Sequence, residues 1–157
     1  MKVTTGYSGL QIALHWVVAI LILVAWLSAE GAEEAMEAVE DGGAVGFVPH
    51  VALGLAILAL VVVRILVRLS RGAPAAPGEP GSLAMKAADW SHRLIYLLMI
   101  AVPLGGASVF FLGLDVGDVH GLAANVLMLV VLGHALMALY HQYILKDGLL
   151  RRMMKAE

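Results

Sequence analysis

The stretch Val119–Tyr143, VHGLAANVLMLVVLGHALMALYHQY, is about one membrane thickness of apolar residues, and three histidines interrupt it. Fourteen residues separate His120 from His134, and seven separate His134 from His141. At about 100° per residue in an α-helix, both steps return the side chain to nearly the same face. An imidazole in lipid is costly and needs a partner. The stripe therefore predicts a membrane helix that binds a ligand at two depths.

The whole chain has the composition of an integral membrane protein. Of its 157 residues, 61% are hydrophobic and only 14% are charged, and the mean hydropathy is +0.90. A soluble domain of this length has too little interior to bury so much apolar surface. Four apolar runs are long enough to span a bilayer: Leu10–Ser28, Val48–Leu69, Leu94–Leu114 and Val119–Tyr143. Because backbone groups in lipid must be bonded within their own segment, the sequence predicts a single all-α domain over residues 1–157, an up-down four-helix bundle in the membrane.

The charged residues divide between the two sides of this topology. All ten basic residues fall on the side of the chain termini: Lys2, Arg64, Arg68, Arg71, Lys86, Arg93, Lys146, Arg151, Arg152 and Lys155. Eight acidic residues fall on the opposite side: Glu30, Glu33, Glu34, Glu37, Glu40, Asp41, Asp115 and Asp118. Since cytoplasmic loops carry the excess of Lys and Arg, both termini are predicted to be cytoplasmic. We call the side of the termini inner and the acidic side outer.

Two features of the sequence narrow the chemistry. The chain has no cysteine, which excludes disulfides, thiolate metal sites, iron–sulfur ligation and covalently attached c-type haem. The first apolar run has a single preceding lysine, a long core and no small-residue cleavage site, so we interpret it as a retained helix and not a signal peptide.

Four of the histidines form two pairs when the spans alternate in direction. His50 and His120 each begin a span that runs inward, so both lie near the outer interface. His15 lies near the inner end of the first span, and His134 lies in the inner half of the fourth. We call His50 and His120 the outer pair, and His15 and His134 the inner pair.

Two imidazoles that meet from different helices inside a bundle are what an axially coordinated haem b requires. A zinc or copper site is the alternative, but it needs three or four ligands at one depth, often as His-x-x-x-His. Gly54 lies one turn beyond His50 on the same face. A glycine there allows a planar ligand to approach the backbone, although close helix packing explains it equally well.

These residues resemble the prokaryotic cytochrome b-561 family of four-helix dihaem membrane proteins. The matching stretches cover most of the chain: YSGLQIALHW at Tyr7–Trp16, PHVALG at Pro49–Gly54, SHRLIYLLMIAVPLGG at Ser91–Gly106, and the C-terminal segment from His120 that contains YHQYILKD. The spaced histidines together with this closing element make a fairly specific combination.

The resemblance implies two non-covalent haem b groups in a multi-pass protein of the bacterial inner membrane. It implies His15 and His134 as axial ligands of the inner haem iron, and His50 and His120 as those of the outer one. Members of the family pass electrons between a membrane quinone and the far side of the membrane, and a superoxide oxidase branch reduces ubiquinone. The expected function is therefore oxidoreduction, with ubiquinone as a substrate and superoxide as a candidate donor.

The remaining two histidines suit the quinone end of such a pathway. His92 and His141 match histidines on the cytoplasmic side in the family, and Lys86 and Arg93 lie near them in the sequence. These four residues are our candidates for hydrogen bonding a quinone carbonyl and supplying protons, and solvated edge residues are the alternative interpretation.

The outer face departs from the superoxide oxidase pattern. A protein that oxidises an anion is expected to attract it with basic residues, yet this face carries eight acids and no base. Such a field repels superoxide, attracts a cationic protein partner and lowers the reduction potential of an outer haem.

Two other functions stay open: a haem-bearing membrane anchor for a soluble redox partner, and a metal or proton transporter that uses the same histidines. We expect no nucleic-acid partner.

Overall fold

The computed structural model describes residues 6–40, 46, 48–74 and 81–156. Within these ranges the chain is helical and has no strand. The α-helices are α1 (Gly9–Leu27), α2 (Ala29–Glu40), α3 (Pro49–Arg71), α4 (Leu83–Leu112) and α5 (Gly117–Tyr140), followed by a π-helical turn (His141–Leu145) and a 3-10 turn (Leu150–Met153). Four segments are long and apolar enough to cross a membrane: Gly9–Leu27, Pro49–Arg71, Met85–Leu112 and Gly117–Leu145. The predicted all-α fold with four membrane-length helices is confirmed.

Local sequence sets the helix ends. Ser8 caps α1 in a capping box with Gln11, in which each side chain bonds the other residue's backbone N–H. Pro49 occupies the first turn of α3, where its missing N–H costs nothing. Ser82 caps α4, and Gly113 ends that helix in the left-handed conformation that glycine adopts without strain.

Two helical segments lie outside the four predicted spans, and the sequence indicates a helix at both: Ser82 can cap the amphipathic LAMKAADWSHR, and EEAMEAVE can form a short surface helix. α4 begins at Leu83, eleven residues before the predicted start at Leu94, because the amphipathic segment after Ser82 and the apolar span form one 30-residue helix. The acidic segment after the first span also folds as a helix, α2, separated from α1 by Ser28 alone. Two residues of the charge argument, Lys2 and Asp41, lie outside the described ranges.

The two ends of the bundle are defined by tertiary hydrogen bonds. Gln11 Nε2 donates to the Gly72 carbonyl oxygen over 2.9 Å, which joins the start of α1 to the end of α3. Trp16 Nε1 donates to the Met153 carbonyl oxygen over 2.8 Å, which brings the C-terminal segment to the same end. The beginning and the end of the described chain therefore meet at one end of the bundle, as an up-down four-span topology requires.

A thin apolar core separates the two ends. α1 packs on α3, α3 on α4, and α4 on α5, while a 3.0 Å hydrogen bond from Trp26 Nε1 to Asn125 Oδ1 joins α1 to α5. Most large apolar side chains point outward, as lipid contact requires. The buried core residues are Val18, Ile22, Ala25, Ile57, Val61, Met99 and Leu127. Leu127 lies midway between His120 and His134 in the sequence of α5.

Candidate functional site

The outer pair meets across the bundle near the acidic end. His50 lies in the first turn of α3 and His120 in the first turn of α5. Their ring centroids are 6.0 Å apart and the ring planes are 88° from parallel. Metal–imidazole bonds are about 2 Å long, so two imidazoles on opposite sides of one metal have centroids roughly 6 Å apart. The separation suits a pair of axial ligands.

Both outer histidines are oriented through the same ring atom. His50 Nδ1 donates to the Ala25 carbonyl oxygen over 2.9 Å and lies 3.2 Å from Ser28 Oγ. His120 Nδ1 donates to the Val102 carbonyl oxygen over 2.9 Å. Because a carbonyl only accepts, Nδ1 carries the proton in each ring and Nε2 keeps its lone pair. This is how a second layer of hydrogen bonds presents a histidine to a metal.

A small-residue surface lies beside these rings. The two histidines, Gly54, Pro103 and Gly106 line one cavity. A Cβ atom on Gly106 would lie 2.9 Å from His120 Cε1, closer than real Cβ contacts allow, whereas a Cβ on Gly54 would lie 3.9 Å from Pro103 Cβ, an ordinary contact. Gly54 thus serves helix packing as well as the cavity. The site residues predicted from the sequence do not include Gly106, although the run of small residues after Pro103 could have indicated it.

The inner pair meets toward the end where the termini lie. The ring centroids of His15 and His134 are 6.5 Å apart and the planes are 63° from parallel. His15 Nδ1 is buried and has no hydrogen-bond partner. A buried polar atom usually has a partner, and a neutral imidazole keeps a lone pair on one of its two nitrogens that is available to a metal. The inner pair therefore also has the spacing and the donor chemistry for two axial ligands.

His92 is exposed at the inner end, and its ring also lies against the inner pair. Its ring centroid is 5.1 Å from that of His134, and its Nδ1 donates to the Ala88 carbonyl oxygen over 2.7 Å. The 5.1 Å separation is shorter than the roughly 6 Å that two ligands of one metal need. His15 is thus the better-spaced partner of His134.

A half-buried cation also belongs to the inner site. Arg64 Nε donates to Tyr96 Oη over 3.2 Å, and its guanidinium carbon lies 5.7 Å from the Tyr96 ring centroid. Arg64 is close enough to interact electrostatically with both His15 and His134. Arg68, one turn further along α3, is exposed. The sequence shows that Arg64, Arg68 and Arg71 follow one another along the end of α3, but it does not show that Arg64 is the one that lies near the histidines.

His141 and Asp147 are joined by a short hydrogen bond at the inner end. The π-helical turn and the left-handed Lys146 (φ 54°) fold the chain back, so that His141 Nδ1 and Asp147 Oδ2 are 2.5 Å apart. Asp147 Oδ1 also accepts a 3.0 Å bond from the Leu149 amide. The His141 hydrogen bond, the largest influence, holds the pKa of the Asp147 carboxyl below its usual range. π-Helical turns are frequent at functional sites.

The two other quinone candidates are solvent-facing. Lys86 and Arg93 are both exposed on the first turns of α4. The Arg93 guanidinium lies 5.5 Å from the Trp90 ring centroid, a cation–π arrangement suited to an interfacial anchor. In the part of the chain that the structure describes, no three His, Cys, Asp or Glu side chains converge as a zinc site would require.

Four membrane-length helices that bring histidines together in two pairs define a class of protein, the helical membrane proteins that hold a cofactor between their spans. The chain belongs to the prokaryotic cytochrome b561 family, which it matches over residues 6–156. It is therefore a multi-pass bacterial membrane protein of the cytochrome b type, with haem b as its cofactor and electron transfer as its function.

Three relatives align with nearly the full chain. Cytochrome b562 of Cereibacter sphaeroides is 43% identical over 154 residues, which cover 96% of both chains. The probable superoxide oxidase CybB of Yersinia pestis is 35% identical, and the alignment covers 94% of this chain and 95% of that one. Cytochrome b561 homolog 1 of Escherichia coli is 27% identical, with 94% of this chain and 96% of the relative covered.

Proposed function

We propose that this protein carries electrons across the inner membrane through two haem b groups, between a membrane quinone at the inner end and a redox partner at the outer face. The observation that carries the proposal is the occurrence of two histidine pairs, with centroids 6.0 and 6.5 Å apart, on opposite sides of one apolar core. We also propose a single domain with both termini in the cytoplasm, since the Gln11–Gly72 and Trp16–Met153 hydrogen bonds bring both ends of the chain to one end of the bundle and the basic residues lie on that side.

The residues of both sites fit a haem. When bound, haem b supplies one-electron redox chemistry at its iron. His50 and His120 each keep a lone pair on Nε2, because their Nδ1 atoms donate hydrogen bonds to backbone carbonyls. The cavity beside them has glycine at position 106, where a side chain would collide with the His120 ring. His15 and His134 offer a buried, unpartnered nitrogen and a matching separation.

The experiment that tests this proposal is a dithionite-reduced minus oxidised spectrum with haem quantitation on the purified protein. We expect b-type bands and about two haems per chain, as two bis-histidine sites predict. Colourless protein, or protein with about one haem per chain under conditions of full haem supply, would contradict the two-site proposal.

The outer face favours a cationic partner over superoxide. The acidic side chains Glu30, Glu33, Glu34 and Glu37 are exposed on α2, which packs against α1 and α3 near the outer pair, and Asp115 and Asp118 are exposed beside α5. One relative is named a probable superoxide oxidase, so superoxide is the competing donor. Negative charge raises the local concentration of a basic soluble protein and lowers that of an anion.

We expect reduction of the haems by superoxide to accelerate as salt is added. Raising the ionic strength from about 0.01 M to 0.2 M shortens the Debye length to below about 10 Å and screens the acidic face. Stopped-flow absorbance measures the rate, and a neutral quinol as donor is the control, with an unchanged rate. The triple variant Glu33→Gln, Glu34→Gln, Glu37→Gln should accelerate the superoxide reaction at low salt. A wild-type rate that falls with salt would show an attractive path for superoxide.

At the inner end we assign His141 to the quinone, oriented by Asp147. Asp147 Oδ2 accepts a hydrogen bond from His141 Nδ1–H, which orients the ring and leaves Nε2 to donate a proton to a quinone carbonyl oxygen or to accept one from a quinol hydroxyl. His92, Lys86 and Arg93 remain secondary candidates at this end. A quinone fits this position because His141 can exchange a proton with a quinone oxygen as that oxygen gains charge, and ubiquinone is the quinone that the family resemblance implies.

We expect Asp147→Asn to slow haem reduction by a soluble ubiquinol about tenfold, because the His141 ring loses its charged partner. A carboxyl with a lowered pKa stabilises the folded state at pH values above the ordinary Asp value of about 3.9, and this contribution disappears as pH falls through the lowered pKa. Asp147 is therefore ionised at neutral pH. Asp89→Asn, an exposed position on α4, is the control. Equal rates in the two variants would contradict the assignment.

A further inference from the structure

The two histidine pairs lie in different electrostatic environments. Both outer rings donate Nδ1–H to backbone carbonyls, and the exposed charges of α2 near them are acidic. The inner pair has a cation as its neighbour, since Arg64 on α3 interacts with His15 and with His134. A guanidinium stays charged at every pH the protein meets.

Arg64 is held in place by contacts that a lipid-anchoring arginine would not need. The bond from its Nε to Tyr96 Oη and the stacking of its guanidinium on the Tyr96 ring fix the side chain between α3 and α4. Tyr96 lies one turn beyond His92, whose ring contacts His134. The cation is thus turned toward the bundle interior, whereas Arg68 on the next turn is exposed.

These environments act on reduction in opposite directions. One-electron reduction of a bis-histidine ferric haem forms and breaks no bond and adds one negative charge. A fixed cation in a low-dielectric site stabilises the reduced form and raises the potential. Hydrogen bonds from Nδ1–H to a carbonyl make an imidazole a stronger donor and favour the oxidised form, and acidic neighbours act in the same sense.

We propose that Arg64, positioned by Tyr96, is the residue that tunes the inner haem to a higher reduction potential than the outer haem, so that the inner site is the thermodynamic destination of electrons. This inference rests on the proposed two-haem function and adds the residue that sets the direction of transfer. Arg64 acts on the haem through its charge and is not a ligand of the iron.

The test is a potentiometric titration of the purified holoprotein, with dithionite as the electron donor and ferricyanide as the acceptor, followed by the haem absorbance. Arg64→Gln removes the charge, Arg64→Lys keeps it, and Arg68→Gln removes a charge from an exposed position of the same helix. The same variants in a His120→Ala background isolate the inner haem and assign its spectrum.

In Arg64→Gln we expect the ratio of oxidised to reduced inner haem at a fixed potential to rise about tenfold, which for one electron is a shift of about 59 mV to more negative potential. The outer haem should keep its potential, Arg64→Lys should restore most of the inner value, and Arg68→Gln should change neither haem. The inference would be overturned if the reduction potential of the inner haem did not change in Arg64→Gln, or if Arg68→Gln changed that potential by the same amount.

A second measurement decides the question if Arg64→Gln does not retain its inner haem. The wild-type protein should show the inner haem titrating at the higher potential, and the opposite order would overturn the inference. Failure of the underlying function is distinguishable, because a colourless wild-type protein refutes the two-haem proposal itself. A two-haem protein with the wrong response to Arg64 substitution refutes only the role of Arg64.

Discussion

Purified His134→Ala and His15→Ala proteins are expected to contain about one haem per chain, against about two expected for the wild type, because each substitution removes one of the two histidines that we propose as ligands of the inner iron. His50→Ala and His120→Ala should lose the other haem. Haem extraction and the reduced-minus-oxidised spectrum measure the content, and the two groups of variants should retain spectrally different haems. The apolar core between the sites lets each site survive the loss of the other.

His92→Ala is the control that makes this prediction discriminating. Its ring lies closer to His134 than that of His15 does, 5.1 Å against 6.5 Å, so a simple distance rule would choose His92 as the ligand. Because 5.1 Å is too short for two ligands of one metal, we expect His92→Ala to keep both haems. Loss of the inner haem in His92→Ala together with its retention in His15→Ala would refute our pairing.

Substitution of Gly106 should empty the outer site while the inner haem remains. An alanine Cβ there would lie 2.9 Å from Cε1 and 3.2 Å from Nδ1 of His120. The ring must then move, and it is held by a 2.9 Å bond to the Val102 carbonyl oxygen. Overpacking of this kind costs about 1–3 kcal/mol, which predicts a roughly 5- to 150-fold loss of outer haem affinity. Haem content after dilution and the spectrum of the remaining haem measure the effect.

Gly105→Ala is a matched control for Gly106→Ala. It places the same methyl group one residue earlier in α4 and beside the same histidine, but the nearest His120 atoms would be 3.8 and 3.9 Å away, an ordinary contact. Equal losses of outer haem in the two variants would attribute the effect to helix propensity and not to His120. A still larger loss is expected for Gly106→Val, whose branched side chain extends further into the cavity.

Several tertiary features were accessible from periodicity and charge. The fourteen-residue step in α5 fixes His120 and His134 on one face because an α-helix repeats every 3.6 residues. Alternation of the spans then predicts which histidine of another helix lies at each depth, and the structure brings these pairs together at 6.0 and 6.5 Å. Whether they ligate haem stays a prediction that the variants above test.

Other features were not accessible because they depend on side chains from several helices. His92 is exposed, in keeping with its predicted edge position, but the sequence could not show that α4 also carries its ring against His134. The prediction from sequence included Gly54 and not Gly106 among the cofactor-binding residues, because the sequence could not show which glycine the His120 ring would contact. Nor could it pair His141 with Asp147, since that contact depends on a π-helical turn and on the left-handed backbone of Lys146.

By itself, the sequence determined that this protein is helical, crosses a membrane four times and carries histidines at two depths. Hydrophobic run length and helical periodicity are local properties, and in lipid the backbone has few other ways to satisfy its hydrogen bonds. Tertiary structure alone decided the orientation of those histidines and their neighbours: the carbonyls of Ala25 and Val102 that fix the outer rings, and the turn of Arg64 toward the inner pair. These contacts join residues far apart in the chain, and only packing of the helices brings them within hydrogen-bonding distance.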